Sequence, residues 1–203
     1  GLLSNVTYNR LAGTSVLRDF VELPSQINEH WALTPAILKK HAIHAQTGEA
    51  IPDRLIELIK KSEHFNQGFL TVAYTSCALI DMSLHQHPNP EKLSLAEFEA
   101  SECKRLGVPE AVGMRHRLPQ FRHLFSDNGY AAGYYVYMWA EVLDADGFEA
   151  FEATGDVFNP ELAAKFKRFV LSAGNTLDPA DAYRAFRGRD PDVGALLRGR
   201  GLV

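Results

Sequence analysis

The sequence predicts an all-α protein. Three observations carry the prediction. Apolar residues recur at helical spacing in most segments, residues 65–84 are apolar round much of a helix circumference, and a capping residue precedes proline at Thr34-Pro35, Asn159-Pro160 and Asp178-Pro179. The last pattern suits helix starts, where the cap side chain accepts an orphan backbone N–H and proline has none to lose.

In chain order, residues 1–17 lack sustained periodicity and read as a loop, with a short extended piece around Val6-Thr7-Tyr8. Phe20, Val21, Leu23, Ile27 and Trp31 then mark a helix over 19–34, with Pro24 tolerated in its first turn. A second helix spans 35–46, closed by Thr47-Gly48, and a third opens at Pro52 with Leu55, Ile56, Leu58 and Ile59 on its apolar face. The stretch over 65–84 predicts a central helix. His87-Pro88-Asn89-Pro90 reads as a loop, and Ser94-Leu95-Ala96-Glu97 has the form of a capping box ahead of a helix that Gly107-Val108-Pro109 ends. Residues 110–129 are irregular, with an extended piece at 118–121, and 131–151 is helical again. Two more helices follow the capped prolines at 160 and 179, ending at Gly174-Asn175 and near Gly188. No repeat or long linker divides the chain, so 1–203 reads as a single helical unit.

Composition narrows the function classes. The chain has 203 residues, 46% hydrophobic and 23% charged, with a formal net charge of −4. That apolar content excludes a disordered chain, and the acidic balance argues against nucleic acid as a partner. No apolar run reaches the roughly 20 residues needed to cross a bilayer, so no membrane partner is expected. Cys77 and Cys103 do not make a disulfide framework and suit a reducing cytoplasm, which is the expected location. The chain begins at Gly1 rather than Met and reads as the interior of something longer.

The densest chemical feature is Asn128-Gly129-Tyr130-Ala131-Ala132-Gly133-Tyr134-Tyr135-Val136-Tyr137-Met138-Trp139, where four of the seven tyrosines fall within eight residues. On a helix, Tyr130, Tyr134 and Tyr137 lie within about 60° of one another, while Tyr135, Met138 and Val142 form a more apolar face. Two readings stand side by side. The tyrosines are ordinary interior aromatics with satisfied hydroxyls, or they are donors for a developing oxyanion, with Gly129 and Gly133 letting a substrate backbone approach.

Glu22 and Glu29 share a helix face with Gln26, an arrangement that suits a metal or acid–base chemistry but is more often a solvated face. His41 with His44, and His85 with His87, have partial zinc-like spacing without a third ligand and read as surface histidines. His116 and His123 interleave with Arg115, Arg117 and Arg122, which suits a peptide carboxylate or carbonyl oxygen, or a solvated basic loop. Cys77 reads as inert core.

Together, the runs over 18–31 (Arg18-Asp19-Phe20-Val21-Glu22-Leu23-Pro24-Ser25-Gln26-Ile27-Asn28-Glu29-His30-Trp31) and 129–143 resemble the thimet-oligopeptidase family of zinc metallopeptidases. Ser25-Gln26-Ile27-Asn28-Glu29-His30-Trp31 and Tyr183-Arg184-Ala185-Phe186-Arg187-Gly188-Arg189-Asp190-Pro191 are most similar to its bacterial peptidyl-dipeptidases, which release C-terminal dipeptides from oligopeptides. The resemblance covers essentially the whole chain. It implies the helical C-terminal part of a zincin-like catalytic domain and one zinc per intact enzyme, held by two histidines of a His-Glu-x-x-His helix and by a glutamate matching Glu22. It also implies Tyr134 and Tyr137 as oxyanion donors and His123, Gly129, Tyr130, Gly133 and Arg18 at the substrate cleft. Asp19 and Glu29 would orient ligands.

No His-Glu-x-x-His occurs in the chain. Counting back from Glu22 by the family's spacing places it just before Gly1, so the missing N-terminal part of the same protein is an expected partner. Zinc is expected to be absent or weakly bound here, and the chain alone inactive. An oligopeptidase A-like endopeptidase and a non-catalytic peptide-binding helical module are the alternatives.

Overall fold

The computed structural model describes residues 1–203, and they form helices and turns with no β-strand, the one extended pairing being an isolated bridge between Ile43 and Ala50. The α-helices in chain order are α1 (Arg18–Val21), α2 (Leu23–Ala32), α3 (Pro35–His41), α4 (Asp53–Ser62), α5 (Gln67–Gln86), α6 (Leu95–Arg105), α7 (Arg122–Phe125), α8 (Val136–Glu152), α9 (Pro160–Phe166), α10 (Pro179–Arg187) and α11 (Val193–Gly199). The all-α expectation is met. None of these helices is long and apolar enough to cross a membrane.

Where the sequence is read as one helical unit, the residues group into two compact clusters. The first joins residues 1–65 to 138–203. Its core is the predicted stripe of Phe20, Leu23 and Ile27 packed on Leu143, Phe148 and Phe151 of α8 and on Phe186 of α10. Trp31 completes it edge-on to Phe148 and Phe151, donating its indole N–H to the Val157 carbonyl at 2.7 Å. Gly147 permits this approach, because a Cβ there would lie 3.2 Å from Phe186 and 3.3 Å from Ile27. The second cluster spans 66–137 and is built round α5, whose buried residues Ala73, Ser76, Cys77, Ile80, Asp81 and Leu84 follow helical spacing.

Local signals placed most boundaries. Asn159 accepts the N–H groups of Glu161 and Leu162, and Asp178 that of Ala180, as capping residues before proline should. Gly188 closes α10 in the left-handed conformation.

Five expectations need correction, the first being the extended piece at 118–121, which is a 3-10 turn over Leu118–Gln120. The helix over 19–34 divides at Glu22, because Pro24 cannot donate to the Phe20 carbonyl and its ring crowds that oxygen. The helix from 35 ends at His41 rather than 46, since the His44 N–H turns to the Glu49 carbonyl. Ser94 occupies an N-cap position but its side chain caps nothing, so the capping box does not form. The central helix is buried on one face only, with Phe69, Leu70, Val72 and Leu79 exposed in this chain. α11, capped by Asp192, was not anticipated.

A hydrogen-bonded histidine–aspartate pair in the first cluster gives a pH test. His30 lies 2.7 Å from the Asp144 carboxylate and stacks on Phe148. Burial pushes the Asp144 carboxyl up to about 6, against the pairing with His30. The folded protein therefore keeps this proton to about pH 6, whereas an unfolded carboxyl releases it near 3.8. Stability from this group is full below the lower value and lost as pH rises through the higher one. Asp144→Asn, measured by urea midpoints, should gain on the wild type as pH rises from 4 to 6, and a constant difference across that window overturns the assignment.

Candidate functional site

The tyrosine row does not sit on one helix. α8 begins at Val136, five residues later than expected, and Tyr130 and Tyr134 lie in turns before it. The cause is Ala132, whose φ of 54° is left-handed and incompatible with a continuing helix. The Gly133 N–H donates to the Tyr130 carbonyl at 2.8 Å, and a Cβ at 133 would lie 3.3 Å from the Tyr130 backbone. A side chain at 133 would crowd the chain's own turn.

The tyrosines nevertheless come together. α7, anchored by the buried Phe121 and Leu124 on either side of its first turn, carries His123 into the cluster. Its ring centroid lies 4.3 Å from that of Tyr130 and 5.6 Å from those of Tyr134 and Tyr137. Tyr130 and Tyr137 stack at 5.7 Å, and Tyr134 meets Tyr137 edge-on at 5.7 Å. Nε2 of His123 is 2.9 Å from the Tyr137 hydroxyl.

Tyr134 is the most enclosed, 8% exposed, with its ring edge-on to Phe121. Burial pushes its phenol above the ordinary range, which favours the neutral hydroxyl, a hydrogen-bond donor. His123 is exposed, and Gly129, Tyr130 and Tyr137 are half-buried, so the cluster has an open side. The arrangement combines neutral phenolic donors with an imidazole, a set suited to holding an oxygen that gains negative charge.

Among the basic residues before the cluster, Arg117 pairs with the buried carboxylate of Glu99, which also accepts the Leu118 N–H at 2.8 Å. His116 packs on Phe121, and burial together with Arg115 lowers its pKa.

The other predicted residues lie in the first cluster. Glu22 stands at the junction of α1 and α2, partly exposed, and its carboxylate accepts the Ser25 hydroxyl at 3.0 Å. Arg18 is exposed at the start of α1, Asp19 is half-buried and Glu29 is exposed on α2. No three His, Cys, Asp or Glu side chains converge in an arrangement able to hold a metal ion. The residues present therefore do not make a zinc site by themselves, and Glu22 offers a single carboxylate where zinc takes three or four ligands. His85 and His87 also part company. His85 pairs with Asp81, whereas His87 accepts the Asn89 N–H and lies against Phe98.

Sequence reading missed the residues of α5 beneath the tyrosines. Asp81 is fully buried and accepts the N–H groups of both Ala132 and Tyr134, and the Tyr74 hydroxyl donates to the Tyr134 carbonyl. The signal was available, because positions 74, 81 and 85 share one helix face and Asp81 is the one acid in a helix rich in apolar residues.

The chain matches the model of peptidase family M3 over residues 1–202. It is 40% identical over 205 residues to a dipeptidyl carboxypeptidase of Salmonella typhimurium and 38% identical to the Escherichia coli protein of that name. It is also 34% identical over 207 residues to oligopeptidase A of Escherichia coli. Each alignment covers the whole chain but 30% of the relative, so the chain spans about a third of the length of these proteins. With a family model matched from end to end, the chain belongs to peptidase family M3.

Proposed function

We propose that this chain is part of a zinc-dependent peptidyl-dipeptidase that releases C-terminal dipeptides from oligopeptides. One observation carries the reading. Tyr130, Tyr134 and Tyr137 converge on His123 although only Tyr137 lies on α8, in a chain 40% identical along its whole length to a protein named dipeptidyl carboxypeptidase. In this reading Tyr134 and Tyr137 donate hydrogen bonds to the carbonyl oxygen of the scissile peptide as it becomes an oxyanion. His123, 2.9 Å from the Tyr137 hydroxyl, sets the direction of that donor. Tyr130, Gly129 and Gly133 border the peptide backbone, and Arg18 attracts its carboxylate. Glu22 is the third zinc ligand, oriented by the Ser25 hydroxyl, with Asp19 and Glu29 as outer supports. Zinc, when bound, supplies Lewis-acid chemistry. Its remaining ligands belong to a His-Glu-x-x-His motif outside these 203 residues, and the site is assembled in the cytoplasm.

The test uses the full-length protein carrying this chain. Incubated with an oligopeptide, it should release dipeptides stepwise from the C-terminus, and a chelator should stop it. Glu22→Gln should lose stoichiometric zinc by metal analysis and lower kcat/KM by at least about 100-fold, with the helical circular dichroism unchanged. Full zinc content in that variant would exclude Glu22 as a ligand. Internal cleavage in place of dipeptide release would favour an endopeptidase, the reading that 34% identity to oligopeptidase A keeps in view. Binding of peptide without any hydrolysis would point instead to a binding module.

A further inference from the structure

We propose that Asp81 is a positioning residue for the tyrosine cluster, acting from α5 through the backbone of Ala132 and Tyr134. The consequence for catalysis rests on the reading of Tyr134 as an oxyanion donor. The clamp itself does not.

Asp81 is fully buried in an apolar helix, a costly place for a carboxylate unless every oxygen is bonded. Its Oδ1 accepts the Ala132 N–H and its Oδ2 accepts the Tyr134 N–H, each at 3.0 Å. His85 Nδ1 lies 2.8 Å from Oδ1 and 2.9 Å from the Asp81 carbonyl. The two oxygens are nearer to that nitrogen than the Ala132 N–H, which lies 3.3 Å away, and they match a protonated Nδ1 that donates. The left-handed φ of Ala132 turns the flanking N–H groups to one side, where a single anion meets both. Such a conformation is unfavourable for an alanine, so something must hold it, and the carboxylate does.

Two turns away on the same face of α5, the Tyr74 hydroxyl donates to the Tyr134 carbonyl while the two rings stack at 5.1 Å. Both peptide groups of Tyr134 are therefore gripped by one rigid helix. A core position needing only volume would carry Leu. An aspartate bonded to two amides of the loop that presents Tyr134 fixes where its hydroxyl stands, and misplacing a catalytic donor by about 1 Å costs roughly 100-fold in rate.

The test is Asp81→Asn in the full-length protein, an isosteric change in which one of the two amides loses its acceptor. Hydrogen exchange at the Ala132 and Tyr134 amides should accelerate. The kcat for oligopeptide hydrolysis should fall about tenfold or more with KM little changed, because the donor acts on the transition state. A pair acting as one unit is not multiplicative, so Asp81→Asn should add little to the loss caused by Tyr134→Phe. Should Asp81→Asn fold poorly, Tyr74→Phe removes the hydroxyl contact to the Tyr134 carbonyl and should show the same non-additivity with a smaller fall. Wild-type exchange with wild-type kcat overturns the proposal, and so do losses that multiply fully in the double variant. If Tyr134→Phe alone leaves kcat intact, the oxyanion reading of Tyr134 falls, while faster exchange at the two amides still upholds the clamp.

Discussion

Replacing Asp146 with alanine is expected to destabilise the protein by about 3–5 kcal/mol, as breaking a buried ion pair from one side does. Asp146, on α8, is fully buried and gathers three donors onto one carboxylate. The Tyr183 hydroxyl lies 2.6 Å from Oδ2, Arg187 Nε lies 3.1 Å from the same oxygen, and Arg189 donates to Oδ1. Burial and the bond to Asp146 push the Tyr183 phenol up, so it stays a donor. Removing the carboxylate leaves Arg187, four-fifths buried, without its anion and unable to turn fully to water, while the exposed Arg189 can do so. Asp146→Asn keeps the shape but sets an NH2 against a donor, and should fall between alanine and wild type. Urea midpoints at constant pH measure the series. An alanine variant within about 1 kcal/mol of wild type would mean that the arginines find other partners, and would remove Asp146 as the anchor of α10.

The run over 183–191 entered the sequence reading only through its resemblance to bacterial peptidyl-dipeptidases, and this anchor gives it a structural role. Tyr183, Arg187 and Arg189 are spaced to converge on one acceptor, and the constraint leaves a local signature. Asn159-Pro160 and Asp178-Pro179 were readable directly, since a cap acts within three residues. The break at Glu22 was written in Pro24 and underweighted.

The start of α8 was not legible. Nothing local in Tyr130-Ala131-Ala132-Gly133-Tyr134 opposes a helix strongly enough, and two alanines favour one. What overrides that propensity is Asp81, about fifty residues earlier, pulling two amides out of helical register. The predicted grouping of Tyr130, Tyr134 and Tyr137 was thus recovered by a different route, through turns and a histidine on α7 rather than a helical face. Buried acids are hard to find from sequence where their partners lie far along the chain: Glu99 meets Arg117, Asp144 meets His30, and Asp146 meets Arg187 and Arg189.

The largest functional effect should come from the tyrosine hydroxyls. In the full-length protein, Tyr137→Phe is expected to lower kcat by about 100- to 1,000-fold with KM changed only a few-fold, the signature of a donor whose bond strengthens in the transition state. The stacking on Tyr130 at 5.7 Å does not involve the hydroxyl, so the loss reports the O–H and its link to His123 rather than the packing of the ring. His123 loses its partner at 2.9 Å in this variant and becomes freer to turn, which adds to the fall. The pH profile separates Tyr137 from Tyr134. With its phenol raised above the ordinary 10.0 by burial, Tyr134 remains a neutral donor through the neutral and mildly alkaline range. Its deprotonation therefore cannot set an alkaline fall in kcat below that pH. If kcat declines between pH 8 and 9 in the wild type, and the decline vanishes in Tyr134→Phe, the enclosed hydroxyl is not the neutral donor argued here. A Tyr137→Phe enzyme with wild-type kcat would remove that residue from the oxyanion site and leave Tyr134 to act without it.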